Sequence, residues 1–386
     1  MEAIVLKGIT WGHSRGYTPL VAFSQRFSEL HPGVEVVWKK RSLQEFADFP
    51  IEKLTTDYDL LIIDHPWVGC AAANECVLPL DEFVSKPFLE NQFRNSVGDS
   101  HFSYLYAGHQ WAFAIDAATP VASYRQDLLR QSCTAIPEDW SDLIYLTKKG
   151  KVAAPAIPID LLMNFYMFSI ALGQEPFQND HEIIDTATGL EALETMRQFY
   201  SLLDKKMFRC NPIAVAELMA GTDDYWYCPF AYGYSNYSRE GYARNVLHYT
   251  DLIQFKGRAL RSTIGGTGIA VSAFSQHKKL AVKFAEEIVS EKCQSTFYVQ
   301  HGGQPGHKTA WLSEEANYLC NDFFKNVLPV MERGYMRPRY NGYLHFQDRA
   351  GDPLHQYLLH GGDPSKVLQD MNQIYHQSRQ AALVKM

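Results

Sequence analysis

Three clusters of polar and aromatic residues follow short apolar stretches early in the chain, at 11–15, 39–42 and 64–67. Indole rings offer flat faces for ring-shaped ligands, and guanidinium groups hold carboxylates or phosphates through two parallel hydrogen bonds. Carboxylates accept hydrogen bonds from ligand hydroxyl groups. These clusters predict one surface for a small polar solute, and its members are Trp11, His13, Ser14, Arg15, Arg41, Asp64, His65 and Trp67.

Further candidates lie later in the chain and share the same kinds of chemistry. A carboxylate follows an extended segment, and a loop at 231–237 alternates tyrosine with Gly, Ser and Asn, unlike a stretch that only fills a core. A glycine-rich segment at 265–268 predicts a hinge or a close approach of the backbone to a ligand. The candidates from these segments, and from a Gly-Gly-Gln stretch, are Asp116, Tyr232, Tyr234, Asn236, Gly266 and Gln304.

The charges among these candidates leave the ligand class open. If Arg15 and Arg41 both face the ligand, the ligand is an anion; otherwise each arginine is a surface group paired with Glu45 or Asp48. The candidate aspartates instead favour a sugar, another polyol or a cation. A site that holds both signs of charge fits a sugar acid or a zwitterion.

His13, Asp64 and His65 raise two other possibilities, a metal site and an acid-base pair. No HExxH spacing is present, and no nucleophile stands beside a base in a recognisable pattern. The glycines at 265–268 match neither a dinucleotide-binding nor a Walker motif. We therefore expect no metal, no cofactor and no catalysis, and keep an enzyme that uses these three residues as an alternative.

The secondary-structure elements that position these residues predict an α/β fold. Apolar strands are predicted at 3–9, 34–38 and 59–64, with a helix at 19–30 after the first and another starting at Leu43–Phe46 after the second. Such alternation predicts a parallel sheet, and ligands bind such sheets at the carboxyl ends of the strands.

The remaining chain predicts a second lobe rich in helices. An extended segment at 111–124 breaks at Thr119-Pro120, and a strand is predicted at 224–230. The predicted helices lie near 127–129, from 137–140, and at 161–172, 190–203, 214–220, 278–289 and 365–383, and a glycine-rich return lies at 265–272.

Length, composition and charge exclude several functions. The 386 residues carry 36 Lys plus Arg and 43 Asp plus Glu, a net charge of −7 without the basic excess that nucleic-acid binding needs. The best apolar run, 161–172, is shorter than the roughly 20 residues of a membrane span. The 7 cysteines are scattered and form no CxxC pair, which indicates neither a disulfide framework nor a zinc site.

The order of several local strings resembles the extracellular solute-binding proteins of ABC importers, in the large family with the carbohydrate-binding members. The likeness extends over nearly the whole chain. The strings that carry it are Trp11–Leu20, His31–Val36, Tyr58–Asp64, Leu78–Asp81, Pro137–Trp140, Gly265–Val271, Ala281–Glu287 and Gly303–Pro305.

The resemblance implies a two-lobed, type II periplasmic-binding-protein-like fold in which each lobe is a mixed sheet flanked by helices. The first lobe would comprise 1–115 and about 268–312, and the second 116–267 and about 313–386. It also implies a ligand cleft between lobes that closes on binding, no catalysis, and a monomer that delivers its solute to ABC permease subunits.

The location in the cell has two possible answers. The family implies a periplasmic or cell-surface protein of bacteria. The segment after Met1 lacks a basic stretch followed by an apolar run, so a native start at Met1 predicts a cytoplasmic protein, with a ligand-sensing role as the alternative to import.

Overall fold

A computed structural model describes residues 3–42 and 51–384 of the chain. The residues fall into two compact units, each assembled from separated segments. Unit 1 comprises 1–118, 264–332 and 339–341, and unit 2 comprises 119–263, 333–338 and 342–386.

These bounds differ from the sequence-based ones by a few residues at 116–118, 264–267 and 339–341, and by a whole segment at 313–332, which the sequence placed in the second lobe. The structure groups this segment with unit 1. The physical reason is aromatic packing, because the ring of Trp311 lies 6.3 Å from that of Phe323 and 5.2 Å from that of Phe324.

Unit 1 is a mixed sheet flanked by helices. Its strands are β1 (Ile4–Trp11), β2 (Val34–Arg41), β3 (Leu60–Ile63), β4 (Leu105–Tyr106), β5 (His109–Gln110), β6 (Phe113–Ala118) and β12 (Gly265–Val271). Its helices are α1 (Ser14–Leu30), α2 (Ile51–Leu54), α3 (Val68–Asn74), α4 (Lys86–Arg94), α10 (Lys278–Ile288), α11 (Glu291–Cys293), α12 (Lys308–Leu312), α13 (Glu314–Leu319) and α14 (Phe323–Glu332).

The main sheet of unit 1 has the strand order β2-β1-β3-β12-β6. Strand β1 pairs in parallel with β2 and β3, as the alternating strand and helix signals predicted. Strand β12 runs antiparallel to both β3 and β6, so the sheet is mixed. The carboxyl ends of β1, β2 and β3 therefore lie at the same edge.

Apolar side chains from both sides of this sheet form the core of unit 1. All four residues of β3, Leu60–Ile63, are fully buried, because helices cover the sheet and leave no face for water. From α1, Phe23 packs edge-on against Phe284 of α10 with ring centroids 5.2 Å apart.

Unit 2 is dominated by helices. Its strands are β7 (Pro120–Tyr124), β8 (Tyr227–Tyr232), β9 (His248–Thr250), β10 (Gln254–Phe255) and β11 (Arg258–Ala259). Its helices are α5 (Gln126–Gln131), α6 (Trp140–Lys148), α7 (Pro158–Ala171), α8 (Thr186–Tyr200), α9 (Pro212–Gly221), α15 (Tyr343–His360) and α16 (Pro364–Val384). Strands β8, β7 and β9 form an antiparallel sheet in that order.

The long apolar run at 161–172 lies almost entirely in one helix of unit 2. Helix α7 packs against α8 and α15, and residues from Leu161 to Ser169 are all buried. Within the described ranges, no helix has the length and apolarity required to cross a membrane.

Most predicted elements are confirmed, with ends that differ by a few residues. The helix predicted from 19 begins at Ser14, and the strand predicted at 224–230 spans Tyr227–Tyr232. Helix α15 was not predicted, because glycine and proline interrupt its apolar pattern at Gly351 and Pro353. The helix start predicted at Leu43–Phe46 lies outside the described residues.

Asp160 predicts a specific dependence of stability on pH. This residue lies in the first turn of α7, and burial raises the pKa of its carboxyl from 3.8 to about 8. The unfolded chain therefore binds fewer protons than the folded chain between these values, and stability falls as pH rises through that window. Asp160→Asn cannot titrate and so lacks this loss of stability. We therefore expect the unfolding free energy of the variant minus that of the wild type to increase by about 5 kcal/mol from pH 4 to pH 8.

Urea unfolding at a series of pH values measures this difference. Asp185 is a matched control, since it accepts a hydrogen bond from the Thr188 backbone N–H at 2.9 Å and this bond lowers its pKa. The stabilisation from Asp185 depends on pH in the opposite direction, because it is present at neutral pH and is lost as the pH falls. An equal effect of Asp160→Asn at pH 4 and pH 8 would contradict the assignment.

Candidate functional site

The register of the unit 1 sheet brings two of the predicted clusters together. Trp11 and Arg41 are paired across β1 and β2, and the Gly12 N–H donates to the Arg41 carbonyl oxygen at 2.8 Å. The Arg41 side chain is buried, and its Nη2 donates to the Ile62 carbonyl oxygen of β3 at 3.3 Å. The ends of all three strands are thus connected, as expected for the carboxyl edge of a parallel arrangement.

The Trp11 ring lies over helix α1. Its indole is 4% exposed, and a Cβ atom on Gly16 would come within 2.3 Å of the indole carbons. Glycine at position 16 is therefore required for the ring to pack on the helix. Trp11 presents less open surface than the sequence prediction of a stacking platform assumes.

His13 caps the first turn of α1. Its backbone is extended, and its Nδ1 accepts a hydrogen bond from the Arg15 backbone N–H at 3.0 Å. Burial, with a smaller contribution from the Arg15 charge, lowers the pKa of His13 to about 4. The ring is consequently neutral at pH 7, and Ser14 beside it is partly exposed.

The third cluster forms a short 3₁₀ turn after β3. Asp64 caps this turn by accepting from the His65 backbone N–H at 2.9 Å, and the His65 ring is fully buried. The indole of Trp67 is 5% exposed. Its Nε1–H is buried and donates to no atom of the described residues.

Arg15 and Asp116 form a buried ion pair. The guanidinium Nε donates to Asp116 Oδ2 at 2.8 Å, and Nη2 donates to Oδ1. The two residues are 4% and 1% exposed. Burial raises the pKa of Asp116, and the Arg15 charge opposes that rise. The fork predicted to hold a ligand anion thus holds a carboxylate of the protein, and the alternative partners Glu45 and Asp48 lie outside the described residues.

Gly266 and Gln304 both contact strand β6 next to Asp116. Gly266 has φ of +90°, and a Cβ atom there would lie 2.2 Å from the Asp116 carbonyl oxygen. The close backbone approach predicted for this glycine is therefore one between strands. Gln304 is buried, and its Nε2 donates to the Ala117 carbonyl oxygen at 2.7 Å.

Tyr104 was missed by the sequence analysis. Its hydroxyl donates to the Ile63 carbonyl oxygen at 3.3 Å, and its ring lies edge-on to His65 with centroids 6.4 Å apart. A Cβ atom on Gly268 would come within 2.6 Å of the Tyr104 ring, so the ring needs glycine on β12. No spacing in the sequence links a residue of a short 3₁₀ turn to a strand about 40 positions earlier.

In unit 2, the predicted tyrosine loop follows strand β8. Tyr232 is partly exposed, and its hydroxyl lies 3.0 Å from Thr263 Oγ1. Tyr234 and Asn236 are 5% and 2% exposed, and Asn236 lies in a 3₁₀ turn. Tyr237 is fully buried and donates to Glu217 Oε1 at 2.6 Å, so it supports the loop from within the unit.

The histidines and acids of the described ranges form no group of three or more that could hold a metal ion. His65 Nδ1 and Asp64 Oδ1 lie 3.4 Å apart. The chemistry assembled at the strand ends is that of hydrogen bonding and ring contact.

Residues 11–295 match the model of the family described as bacterial extracellular solute-binding protein. The match covers most of the chain and begins at the strand-end cluster of β1. The chain belongs to this family. It is a family of solute-binding proteins and not of enzymes, in agreement with the resemblance inferred from the local strings.

Solved structures of solute-binding proteins share the fold over nearly the full length. Maltose-bound MalE3 of T. maritima has 16% identity and a TM-score of 0.83, covering 98% of this chain and 100% of the other. A ribitol complex of an ABC transporter solute-binding protein from Agrobacterium radiobacter K84 has 20% identity and a TM-score of 0.81, covering 97% and 99%.

A third similar structure is the maltose/maltodextrin-binding domain MalE from Bdellovibrio bacteriovorus bound to maltotriose. It has 16% identity and a TM-score of 0.79, covering 98% of this chain and 100% of the other. The solute-binding protein therefore has the periplasmic-binding-protein fold expected from its sequence.

The buried ion pair of the solute-binding protein predicts a strong stability effect. Arg15→Met leaves Asp116 buried without its partner, and we expect a loss of about 3 to 5 kcal/mol in unfolding free energy. The double variant Arg15→Met/Asp116→Leu removes both charges and should recover most of that loss. Urea unfolding at pH 7 measures all three proteins.

The exposed pair Arg26 and Glu29 provides the control. Their side chains are 52% and 54% exposed with 2.8 Å between the charged groups, so Arg26→Met should cost less than about 1 kcal/mol. If Arg15→Met unfolds at the same urea concentration as the wild type, the Arg15–Asp116 pair does not contribute the expected unfolding free energy.

Proposed function

We propose that this solute-binding protein is the sugar-binding receptor of a bacterial ABC importer, acting outside the cytoplasm. The observation that supports it is the full-length likeness to proteins whose structures hold maltose, ribitol or maltotriose, together with the family match. As such a receptor, the protein binds a free sugar and delivers it to the permease subunits of the importer.

The balance of charge favours a neutral sugar over an anion. Arg15 is neutralised by Asp116, and the Arg41 side chain is buried with Nη2 directed at the Ile62 carbonyl oxygen. His13 is neutral at pH 7 because its pKa is lowered to about 4. The carboxylate of Asp64, with 16% of its side chain exposed, adds a negative group at the strand ends. A neutral polyol binds this surface without placing a second negative charge beside the Asp64 carboxylate.

The strand-end surface of unit 1 supplies complementary hydrogen-bonding groups. The Asp64 carboxylate accepts from ligand hydroxyl groups, and the Trp67 indole N–H donates to a ligand oxygen. A buried N–H without a partner carries a desolvation cost of about 1 to 3 kcal/mol, which a ligand acceptor removes. We assign to the same surface Trp11, His13, Ser14, Arg41 and His65.

In unit 2, the loop after β8 supplies a second set of polar aromatic groups. Tyr232 contributes a partly exposed ring with a hydroxyl that Thr263 holds in place. Tyr234 directly precedes the 3₁₀ turn Ser235–Ser238, and Asn236 lies within that turn. Rigid tyrosines offer contact area at low conformational-entropy cost, which suits recognition of a small polar ligand.

The ligand class is tested with a panel of neutral and acidic sugars. We expect maltose, maltotriose, ribitol or a related neutral sugar to raise the melting temperature, since a ligand at 100 times its Kd stabilises a protein by about 2.7 kcal/mol. Galacturonate and glucuronate serve as anionic counterparts. Stabilisation by the acids alone would overturn the neutral-sugar assignment, and no response to any carbohydrate would overturn sugar binding.

Trp67 is tested by a substitution that removes only its hydrogen-bond donor. Trp67→Phe keeps an aromatic ring, and we expect the Kd for the sugar identified in the panel to rise roughly tenfold, as the loss of one buried hydrogen bond implies. Isothermal titration calorimetry measures the change. Phe83→Ala, at a 42% exposed aromatic residue directly after the 3₁₀ turn Leu80–Glu82, should leave the Kd unchanged. An unchanged Kd in Trp67→Phe would remove this residue from the site.

A further inference from the structure

The two edges of the main sheet of unit 1 differ in how their backbone groups are used. Strand β6, at one edge, is covered by residues 304–306. The Ala117 N–H donates to the Gln304 carbonyl oxygen at 3.1 Å, and the Gly306 N–H donates to a carbonyl oxygen of β6 at 3.3 Å. Strand β2, at the other edge, pairs with β1 and with no other strand of the described residues. The edge formed by β2 is therefore the one that can accept a further strand.

Alternate residues of β2 direct their backbone groups toward this edge. The carbonyl oxygens of Gly33 and Arg41 each accept a hydrogen bond at 2.8 Å from the β1 side. Because a parallel pair of strands uses every second residue for its hydrogen bonds, the odd-numbered residues of β2 bond to β1. The N–H and C=O groups of Val36, Trp38 and Lys40 consequently point outward, where an added strand would meet them.

The face of β1 and β2 opposite helix α1 is open to solvent. Glu35, Val37 and Lys39 alternate along β2, and all three are exposed, Val37 to 40%. Val5 of β1 is 38% exposed and lies on the same face, because it is the register partner of Glu35. The edge strand thus presents an exposed valine midway between an acid and a base.

We propose that two copies of this chain pair through their β2 strands, antiparallel and around a two-fold axis at Val37. In this register Val36 of each copy lies opposite Trp38 of the other, and their outward N–H and C=O groups form hydrogen bonds in both directions. Val37 lies opposite Val37 of the second copy. The pairing joins two five-stranded sheets into one.

Charge complementarity identifies a second copy as the partner. Lysine on an edge strand discourages pairing with an arbitrary strand. In the proposed register, however, Glu35 of each copy lies opposite Lys39 of the other, so the two-fold axis creates two ion pairs. These positions are the closely spaced, non-hydrogen-bonded ones, where cross-strand side chains interact most strongly.

The same charges select this register over its neighbours. Moving the axis by one residue in either direction keeps the outward backbone groups aligned. It also places Val37 opposite one of the two charged residues, so both pairs between Glu35 and Lys39 are lost. Only the axis at Val37 satisfies the hydrogen bonds and both ion pairs together.

The assembly is a closed dimer. Each copy uses its β2 edge, and residues 304–306 cover the opposite edge at β6, so no third copy can extend the sheet. This differs from the monomer implied by the family resemblance. One pair of strands makes a small interface, and we therefore expect the dimer to dissociate on dilution.

Sedimentation equilibrium of the full chain, from about 1 µM to about 500 µM, tests the dimer because this range includes weak association. The mass of the wild type should rise with concentration from 44.0 kDa toward twice that value. Glu35→Lys and Lys39→Glu each place like charges opposite one another. Either variant alone should raise the dimer Kd roughly tenfold or more.

An equimolar mixture of these two variants tests the register. Glu35→Lys carries two bases at the paired positions and Lys39→Glu carries two acids, so a mixed dimer has opposite charges at every pair. We expect the mixture to associate with a Kd near that of the wild type. The double variant Glu35→Lys/Lys39→Glu should recover association in the same way.

Two valines on the exposed face provide a matched control. Val37→Lys places two positive charges at the axis and should weaken the dimer as strongly as the charge reversals do. Val5→Lys makes the same change at a similarly exposed position, one strand farther from the edge. This variant should dimerise like the wild type. Urea unfolding confirms that each variant is folded.

Three results would overturn the proposal. One is a wild type that keeps a mass of 44.0 kDa over the whole concentration series. Another is a Glu35→Lys variant that dimerises as well as the wild type. The third is a mixture of the two folded single variants that does not associate. Sugar affinity is a separate readout, so failure of the dimer and failure of sugar binding are distinguished.

Discussion

The ion pair between Arg15 and Asp116 is the interaction around which unit 1 is arranged. It joins the first turn of helix α1 to strand β6, 101 positions later in the chain. Two opposite charges at 4% and 1% exposure are tolerated only if each satisfies the other with good geometry. The two parallel hydrogen bonds of the guanidinium fork meet that requirement and set where α1 lies relative to β6.

Close backbone approaches support the same arrangement. Gly266 brings β12 so near to the Asp116 carbonyl that a Cβ atom would overlap it at 2.2 Å. Gly69 in α3 plays a comparable part, since a Cβ atom there would lie 1.8 Å from the Arg339 carbonyl oxygen. Both glycines are needed because the space beside them is filled by backbone, which cannot move aside as a side chain can.

The ion pair also changes how the predicted site is interpreted. Arginine after a strand end suggested a group for anionic ligands, but its charge is used within the protein. Besides the buried Arg41 guanidinium, which donates to the Ile62 carbonyl oxygen, the strand ends carry a neutral His13, the carboxylate of Asp64 and the indole N–H of Trp67. These groups suit a ligand with hydroxyl groups, and the chemical class proposed for the solute follows from this change in the charge balance.

Periodicity and order of residues determined the elements and the family. Apolar runs such as Leu60–Ile63 allow only a buried strand, and the strings from Trp11 to Pro305 identify the fold because their order spans the chain. The meeting of Trp11 and Arg41 at one edge of the sheet was predictable, because the parallel strands β1 and β2 both end there.

The tertiary structure alone decided which side chains are partners. The pairing of Arg15 with Asp116, the position of Tyr104 beside His65 and the packing of Trp311 with Phe324 join residues that are distant in the chain. Burial and charge neutralisation select these partners, and both depend on distances in space. A linear pattern contains the types of residue but not those distances, so partner choice appears only once the chain has folded.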